Sequence, residues 1–525
     1  MSEVMLPPWV RPESPETLRW IDDATISFAP AFGRGTTQRG IWADPRWGLR
    51  RRYRGLRTDE KAAILNALSE TRGQLNILRV TPHAPIRGSF ATSELLTNNT
   101  FASGTTGWTS DSTITLNSGD RVVRAIRNAI GAAAGVLDNS SPVTVVQYAP
   151  VVLRHMVMAG RGTFSFKQSI GVTFSGTEYA LSGTQTPGLM TIAGVPYGTS
   201  VTTGLLDFST SGQLAGDYLS VSYASLSRCA LVDDGSNLLL RSDEIDNVAW
   251  TKTGTSAVTA NGATAPDGTS TAEVVIENSA NSQHFVLQSG TRASTAEDLC
   301  AYGYFKRLGG ARELQILIDD GAGNGATANF TLSTGSVGTT AVTGTGTNVR
   351  AFIVDVGNGW YFCVAIARCP ATTSARMAAY LYNGGTTYTG DGTSKLGMWR
   401  LGASRSSVPT RGTQTTNAAA SGASQTGSAL YTKGWPASTD GLLLTGDWFE
   451  INGQLKQLTA PVNSDAAGLA YMQFRPSLAD SPADNDPIIV HEPFGRFIYP
   501  QGTRELENLF GLYGDCEMNL EEVYV

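Results

Sequence analysis

Asn237-Leu238-Leu239-Leu240-Arg241-Ser242, followed by Ala249-Trp250-Thr251, repeats the plan of Glu94-Leu95-Leu96-Thr97-Asn98-Asn99 followed by Gly107-Trp108-Thr109. Each is an apolar entry strand, a polar turn and a tryptophan at nearly the same distance. Both then run into glycine- and threonine-rich sequence with the alternation of short strands. A plan that recurs in this way marks one folding unit used twice. Threonine favours strands and glycine supplies the positive φ that tight turns require, so the unit is all β.

The repeats divide the chain. Residues 91 to 234 form the first unit and residues 235 to 408 the second. In the second, Leu314 to Asp319, Ala328 to Ser333 and Trp360 to Arg368 are expected as strands, with Gly357-Asn358-Gly359 as a hairpin turn. Strands of this length at regular spacing predict a β-sandwich of the jelly-roll kind for each unit. Residues 409 to 428 are too polar to pack and form a linker.

The two flanks differ from the middle. Residues 1 to 90 carry Trp9, Trp20, Trp42 and Trp47 and one helix, capped by Thr58, faced by Ile64, Leu65 and Leu68 and stopped at Gly73. In residues 429 to 525, Trp448-Phe449-Glu450-Ile451, Asn452-Gly453 and Gln454-Leu455-Lys456-Gln457-Leu458 spell a two-residue hairpin. Arg46, Arg50, Arg51, Arg52, Arg54 and Arg57 crowd one flank, and Glu505, Glu507, Asp515, Glu517, Glu521 and Glu522 crowd the other. Opposite blocks are expected to meet within one domain or across a subunit boundary, the alternative being a basic strand that is simply solvated. The expected fold is mainly β: one α+β sandwich or barrel domain, built from both flanks, split by two tandem jelly rolls.

The chain has 525 residues, 58 glycines, a charged fraction of 16% and a formal net charge of −6. That balance gives no case for nucleic acid or an anionic membrane as partner. No apolar stretch approaches the ~20 residues needed to span a bilayer, and the first residues lack the basic start and apolar run of a signal peptide. The five cysteines, Cys229, Cys300, Cys363, Cys369 and Cys516, form no CxxC pair and are expected as buried thiols. Neither a metal nor a cofactor is expected.

Enzyme motifs are missing from the sequence. Gly321-Ala322-Gly323-Asn324-Gly325 follows two acids and leads into a strand, so it is a turn and not a dinucleotide loop. His83, His155, His284 and His491 are scattered singly. The chemistry that stands out is aromatic. Tyr302 and Tyr304 alternate on one strand, Tyr380 and Tyr382 on another, and Trp360 and Trp399 lie on neighbouring ones. Rings beside amides and hydroxyls suit the apolar faces of sugars. Tyr302, Tyr304, Trp360, Tyr380 and Tyr382 are therefore the candidate carbohydrate contacts.

The stretches Gly434-Trp435-Pro436-Ala437-Ser438, Gly446-Asp447-Trp448-Phe449-Glu450-Ile451-Asn452-Gly453-Gln454-Leu455-Lys456 and Phe474-Arg475-Pro476-Ser477-Leu478, with Ser481-Pro482-Ala483-Asp484 after them, resemble the carboxyl-terminal part of distal tail or minor tail proteins of long-tailed bacteriophages. The repeats resemble carbohydrate-binding jelly rolls, the second through Asn237-Leu238-Leu239, Trp250-Thr251-Lys252 and Ala265-Pro266-Asp267-Gly268-Thr269. The resemblance implies a non-enzymatic virion protein at the tail tip, made in the bacterial cytoplasm. It implies a cyclic homo-oligomer, a hexamer in the family, that joins the tail tube protein to tail-tip and hub proteins. Projecting modules would meet host surface polysaccharide, and Arg46, Arg50, Arg51, Arg52 and Arg54 are the candidate contacts with a neighbouring subunit or the tube. The alternative is a receptor-binding fibre or spike with polysaccharide depolymerase activity.

Overall fold

Arg46–Leu56 and Gly514–Glu522, strands near opposite ends of the chain, pair antiparallel with Arg50 opposite Asn519 and Arg52 opposite Glu517. They lie in one sheet ordered Glu3–Met5, Ile77–Val80, Gly495–Ile498, Gly514–Glu522, Arg46–Leu56, Thr17–Ile21, with Leu506–Glu507 pairing Gly514–Glu522 off this path. Strands of the two flanks are thus neighbours in a single scaffold sheet.

The computed structural model describes residues 218–419 and 427–498 without interruption. It also describes residues 3–6, 17–21, 46–57, 60–62, 64, 77–82, 87–90, 94–110, 114–119, 122–127, 137–139, 141–161, 166–167, 169–170, 180–181, 188–196, 198–201, 203–204, 506–507 and 514–523. Residues 60–62 and 64 are helical, and the Lys61 amide donates to the Arg57 carbonyl at 2.8 Å. Thr58, Leu65, Leu68 and Gly73 lie outside the described residues, as do Trp9, Trp42 and residues 420–426 of the linker.

A second sheet of the scaffold runs Trp448–Ile451, Gln454–Leu458, Ala470–Arg475, Ala429–Lys433, Ala230–Val232, Pro487–Ile488. Asn452 and Gly453 turn between the first two strands with φ of 47° and 70°, the left-handed pair that a two-residue hairpin demands. The two sheets share a core in which Trp47 meets Trp448 edge-on at 4.8 Å. Glu522 is buried between them. Its carboxylate accepts the amides of Trp47 at 3.2 Å and Leu455 at 2.9 Å, satisfying one donor from each sheet.

Ala230–Val232 falls in the segment expected to close the first repeat, yet it is a strand of the scaffold. Leu231 lies opposite Lys433, and Val232 opposite Thr432. The second repeat therefore leaves one scaffold strand and returns on its antiparallel neighbour. Asp233 closes this neck, accepting the Thr410 hydroxyl at 2.8 Å and the Arg411 amide at 2.9 Å.

Each repeat is a sandwich. In the second, strands Phe285–Gly309 and Trp360–Tyr382 run through the whole module, and their pairing shifts register between Thr291 and Glu297. On one side of that shift they pair with Thr251–Thr253 and Glu313–Asp319. On the other they pair with Lys395–Ser404 and Thr347–Gly357. The sheet folds over on itself there. Inward side chains of both halves, among them Val286, Ile316, Met377, Leu299, Met398 and Leu401, fill one core.

The repeated plan has the same wiring in both modules. Leu95 donates its amide to the Leu226 carbonyl at 2.9 Å, and Leu238 donates to Ala403 at 2.7 Å. Glu94 accepts the amides of Leu96 and Leu226, each at 2.9 Å; Asn237 accepts those of Leu239 and Ala403, each at 3.1 Å. The entry strand is thereby fastened to the last strand of its own module. Asn98 and Arg241 turn with φ of 54° and 53°, and their carbonyls accept the indole N–H of Trp108 at 3.4 Å and Trp250 at 2.9 Å.

Candidate carbohydrate-binding and assembly surfaces

The second sandwich has two outer faces, and the candidate aromatics divide between them. Tyr302, Tyr304, Trp360, Phe362 and Trp399 cluster on the layer turned toward the scaffold. Ala467 and Leu469 of the scaffold pack against that layer. Tyr302 is 0% and Trp360 1% exposed, so neither presents a ring face to solvent. The reason lies in the glycines opposite them: a Cβ at Gly402 would fall 2.4 Å from Cζ of Tyr302, and one at Gly397 2.9 Å from Cη2 of Trp360. Each ring lies flat on bare backbone. Burial pushes the Tyr302 phenol well above its ordinary pKa. Tyr304 is half-buried between Phe362 and Trp399. Tyr302 and Tyr304 share a cluster with the scaffold residues Ala467 and Leu469, whereas Trp360 packs within the module, on Ala265, Ala272 and Trp399.

The opposite layer faces away from that contact. Across it run Phe285, Tyr380, Gln315 and Asn329 on four neighbouring strands, each directly opposite the next. The rings of Phe285 and Tyr380 are 5.0 Å apart, and the Gln315 side-chain amide donates to Asn329 Oδ1 at 2.7 Å. Four residues along, Ser289, Arg376 and Asp319 continue the rows, and Arg376 is ion-paired to Asp319. Tyr382 is half-buried beside Glu313 at the other end. Tyr380 is only 9% exposed, so the face offers a shallow apolar strip bordered by amides. Sequence reasoning named Tyr380 and Tyr382 here but missed Phe285, Gln315 and Asn329, whose alignment depends on register between strands distant in sequence.

The first module has a cleft of about 390 Å³ lined by Glu94, Leu95, Thr97, Gly107 and residues 141–144. In the second module Gln288 spans the backbone of the corresponding entry strand, accepting from the Leu240 amide at 2.5 Å and donating to its carbonyl at 3.0 Å.

The arginine block is split by strand alternation. Arg50, Arg52 and Arg54 are exposed, whereas Arg51 is 1% exposed and donates to the Thr81 carbonyl at 2.5 Å. Arg51 therefore serves the scaffold core and not an outer surface. The Arg46 side chain lies outside the described residues.

Four cysteines, Cys229, Cys300, Cys363 and Cys369, are buried free thiols. Burial raises the Cys300 and Cys369 thiols to about 12. Asp233, Asp234 and Asp484 converge at the neck, a grouping that the sequence did not announce. The Lys433 ammonium, 2.7 Å from Asp484, already supplies the cluster with a buried cation. Its chemistry is that of a charged joint.

No protein-family model matches the sequence, and no curated protein matches it. Among solved structures, the chain is similar to the N-terminal tandem CBM22 pair of Paenibacillus barcinonensis Xyn10C, at 13% identity over 62% of this chain and 99% of that one, with a TM-score of 0.21. It is also similar to the tandem CBM51 modules of a family 98 glycoside hydrolase from Streptococcus pneumoniae, at 10% identity over 62% of this chain and 97% of that one, with a TM-score of 0.16. At such scores neither likeness carries an argument about function.

Proposed function

We propose that this chain is a structural, non-enzymatic protein of a phage tail tip. Its two flanks build a ring-forming scaffold between the tail tube and the tip, and its sandwich modules meet host surface carbohydrate. The observation that carries the reading is the scaffold sheet itself, in which two strands of the carboxyl flank lie between two pairs of strands of the amino flank while both modules are displayed from the same body. A chain whose ends close one domain around displayed modules is suited to hold those modules in a fixed array. The exposed Arg50, Arg52 and Arg54 supply a charged stripe for contact with a neighbouring subunit or the tube.

The open face with Phe285, Tyr380, Gln315 and Asn329 is the surface of the second module that suits a sugar. A shallow strip of this kind binds weakly per copy, and a ring gains avidity because later contacts form at high effective concentration. Native mass spectrometry of the purified chain, with and without tube protein, is the test of assembly. A closed homo-oligomer, six-membered in the family that the chain resembles, is expected. A monomer at every concentration would count against the ring. Retention on host polysaccharide that is lost in Tyr380→Ala tests the module, and release of shortened polysaccharide would point to a depolymerase spike instead.

A further inference from the structure

Tyr431 and Tyr471 are the two exposed aromatic side chains among the described residues, at 44% and 47%, and they are neighbours. They lie opposite each other on strands Ala429–Lys433 and Ala470–Arg475 of the scaffold, with ring centroids 4.8 Å apart. Every other residue of the second strand is exposed, so Tyr471, Gln473 and Arg475 form one outward row while Met472 and Phe474 enter the core. Burying one side of a sheet fixes this alternation and leaves the aromatic and polar row to solvent.

Two arginines border the pair, one of them next to the acids of the neck, where the Arg411 backbone amide donates to the Asp233 carboxylate at 2.9 Å. The Arg411 guanidinium stacks over the Tyr431 ring at 4.2 Å, and its Nη2 donates to the Asp234 carbonyl at 3.2 Å. Arg475 donates to Gln457 Oε1 at 3.2 Å. Among the described residues neither guanidinium is in a salt bridge with a carboxylate. Arginine side chains held in place without an acid partner match a carboxylate or phosphate that arrives from outside.

We propose that Tyr431, Tyr471, Gln473 and Arg475, with Arg411 at their side, form a binding site for an anionic saccharide, separate from the sandwich face considered above. The tyrosines offer ring edges and hydroxyls to a pyranose, Gln473 supplies an amide between them and the cation, and the arginines select for negative charge. Size argues for a glycan over a protein. The patch comprises only a handful of side chains, whereas a stable protein interface needs about 20–30 residues a side.

The test uses the full chain on an array of uronate-, sialate- and phosphate-bearing oligosaccharides beside neutral ones, followed by titration of the strongest acidic ligand. Acidic ligands should be retained over neutral ones. Tyr431→Ala and Tyr471→Ala should each weaken binding several-fold to about tenfold, and Arg475→Gln should abolish the preference for acid. All three side chains are at the surface, and an unchanged melting temperature verifies the fold. Retention of no acidic saccharide would overturn the proposal. So would binding lost in Tyr380→Ala but kept in Tyr471→Ala, which would place the sugar on the second module. Loss of self-association in the tyrosine variants without any effect on sugar would assign the face to a second copy of the chain.

Discussion

The guanidinium of Arg154, in the first module, lies 3.4 Å from the carboxylate of Glu450, in the scaffold, and their side chains are 0% and 4% exposed. Glu450 also pairs with Arg79 at 3.6 Å and accepts the Phe494 amide at 2.8 Å, while Arg154 donates to the carbonyls of His491 and Glu492. Both flanks and the first module thus meet in one dry charged joint. Removing Glu450 strands two buried arginines, whereas removing Arg154 leaves Glu450 with Arg79. Glu450→Gln should cost about 3–5 kcal/mol in chemical denaturation, and Arg154→Met should cost less.

The joint and the neck predict how the modules respond to excision. Removing residues 91–408 as a block takes away both Arg154 and the scaffold strand Ala230–Val232, so the remainder should be insoluble or unfolded by circular dichroism. Removing only the second module, between the neck strands Ala230–Val232 and Ala429–Lys433, should leave a folded scaffold with a cooperative melt. Equal behaviour of the two deletions would contradict this account.

Trp108 and Trp250 hold equivalent turns, and both are nearly buried. Replacing Trp250 by alanine should cost about 3–5 kcal/mol, as should the change at Trp108. Trp250→Phe should cost less, chiefly the lost indole hydrogen bond, on the order of 1 kcal/mol. Calorimetry of the variants would check the order.

His155 is buried in the first module, and burial lowers its pKa from 6.5 to about 3. The unfolded chain binds a proton there across a window in which the folded chain does not. Stability contributed by the neutral ring is therefore complete above about 6.5 and is lost as pH falls toward 3, at up to about 1.4 kcal/mol per pH unit. His155→Leu should flatten the acid limb of the stability profile between these values. An unchanged slope would exclude His155 as the titrating group.

Arg51 and Arg52 are adjacent in sequence and opposite in fate. Arg51→Met should destabilise by about 1–3 kcal/mol, because it deprives the Thr81 carbonyl of a buried donor. Arg52→Ala should stay within about 0.5 kcal/mol in the same denaturation series, so any defect it shows in assembly would belong to the interface.

Local chemistry was legible in the sequence. Asn452-Gly453 and Asn358-Gly359 are turns with positive φ, and the strands beside them lie where alternation and turn residues put them. Sidedness was not. Tyr302 and Tyr380 sit in similar alternating strands, yet one layer of the second sandwich is covered by Ala467 and Leu469, which come more than 80 residues later than Tyr380. Which face is covered is a tertiary fact. The same limit hid Tyr431 and Tyr471, whose strands look like ordinary core strands until their partners are known. Ala230–Val232 was assigned to the wrong body for a related reason: three residues carry no periodicity, and their pairing with Ala429–Lys433 on one side and Pro487–Ile488 on the other places them.

Because the second module is suspended from adjacent antiparallel strands, a pull on it loads both strands from the same end. Force applied there opens the ladder between Ala230–Val232 and Ala429–Lys433 one rung at a time, instead of shearing all its hydrogen bonds at once. The neck is a zipper under tension, with the Asp233, Thr410 and Lys433 contacts as its clasp. A first module bonded through Arg154 would stay in place while the second was drawn away from the scaffold, so the molecule has a built-in order of yielding.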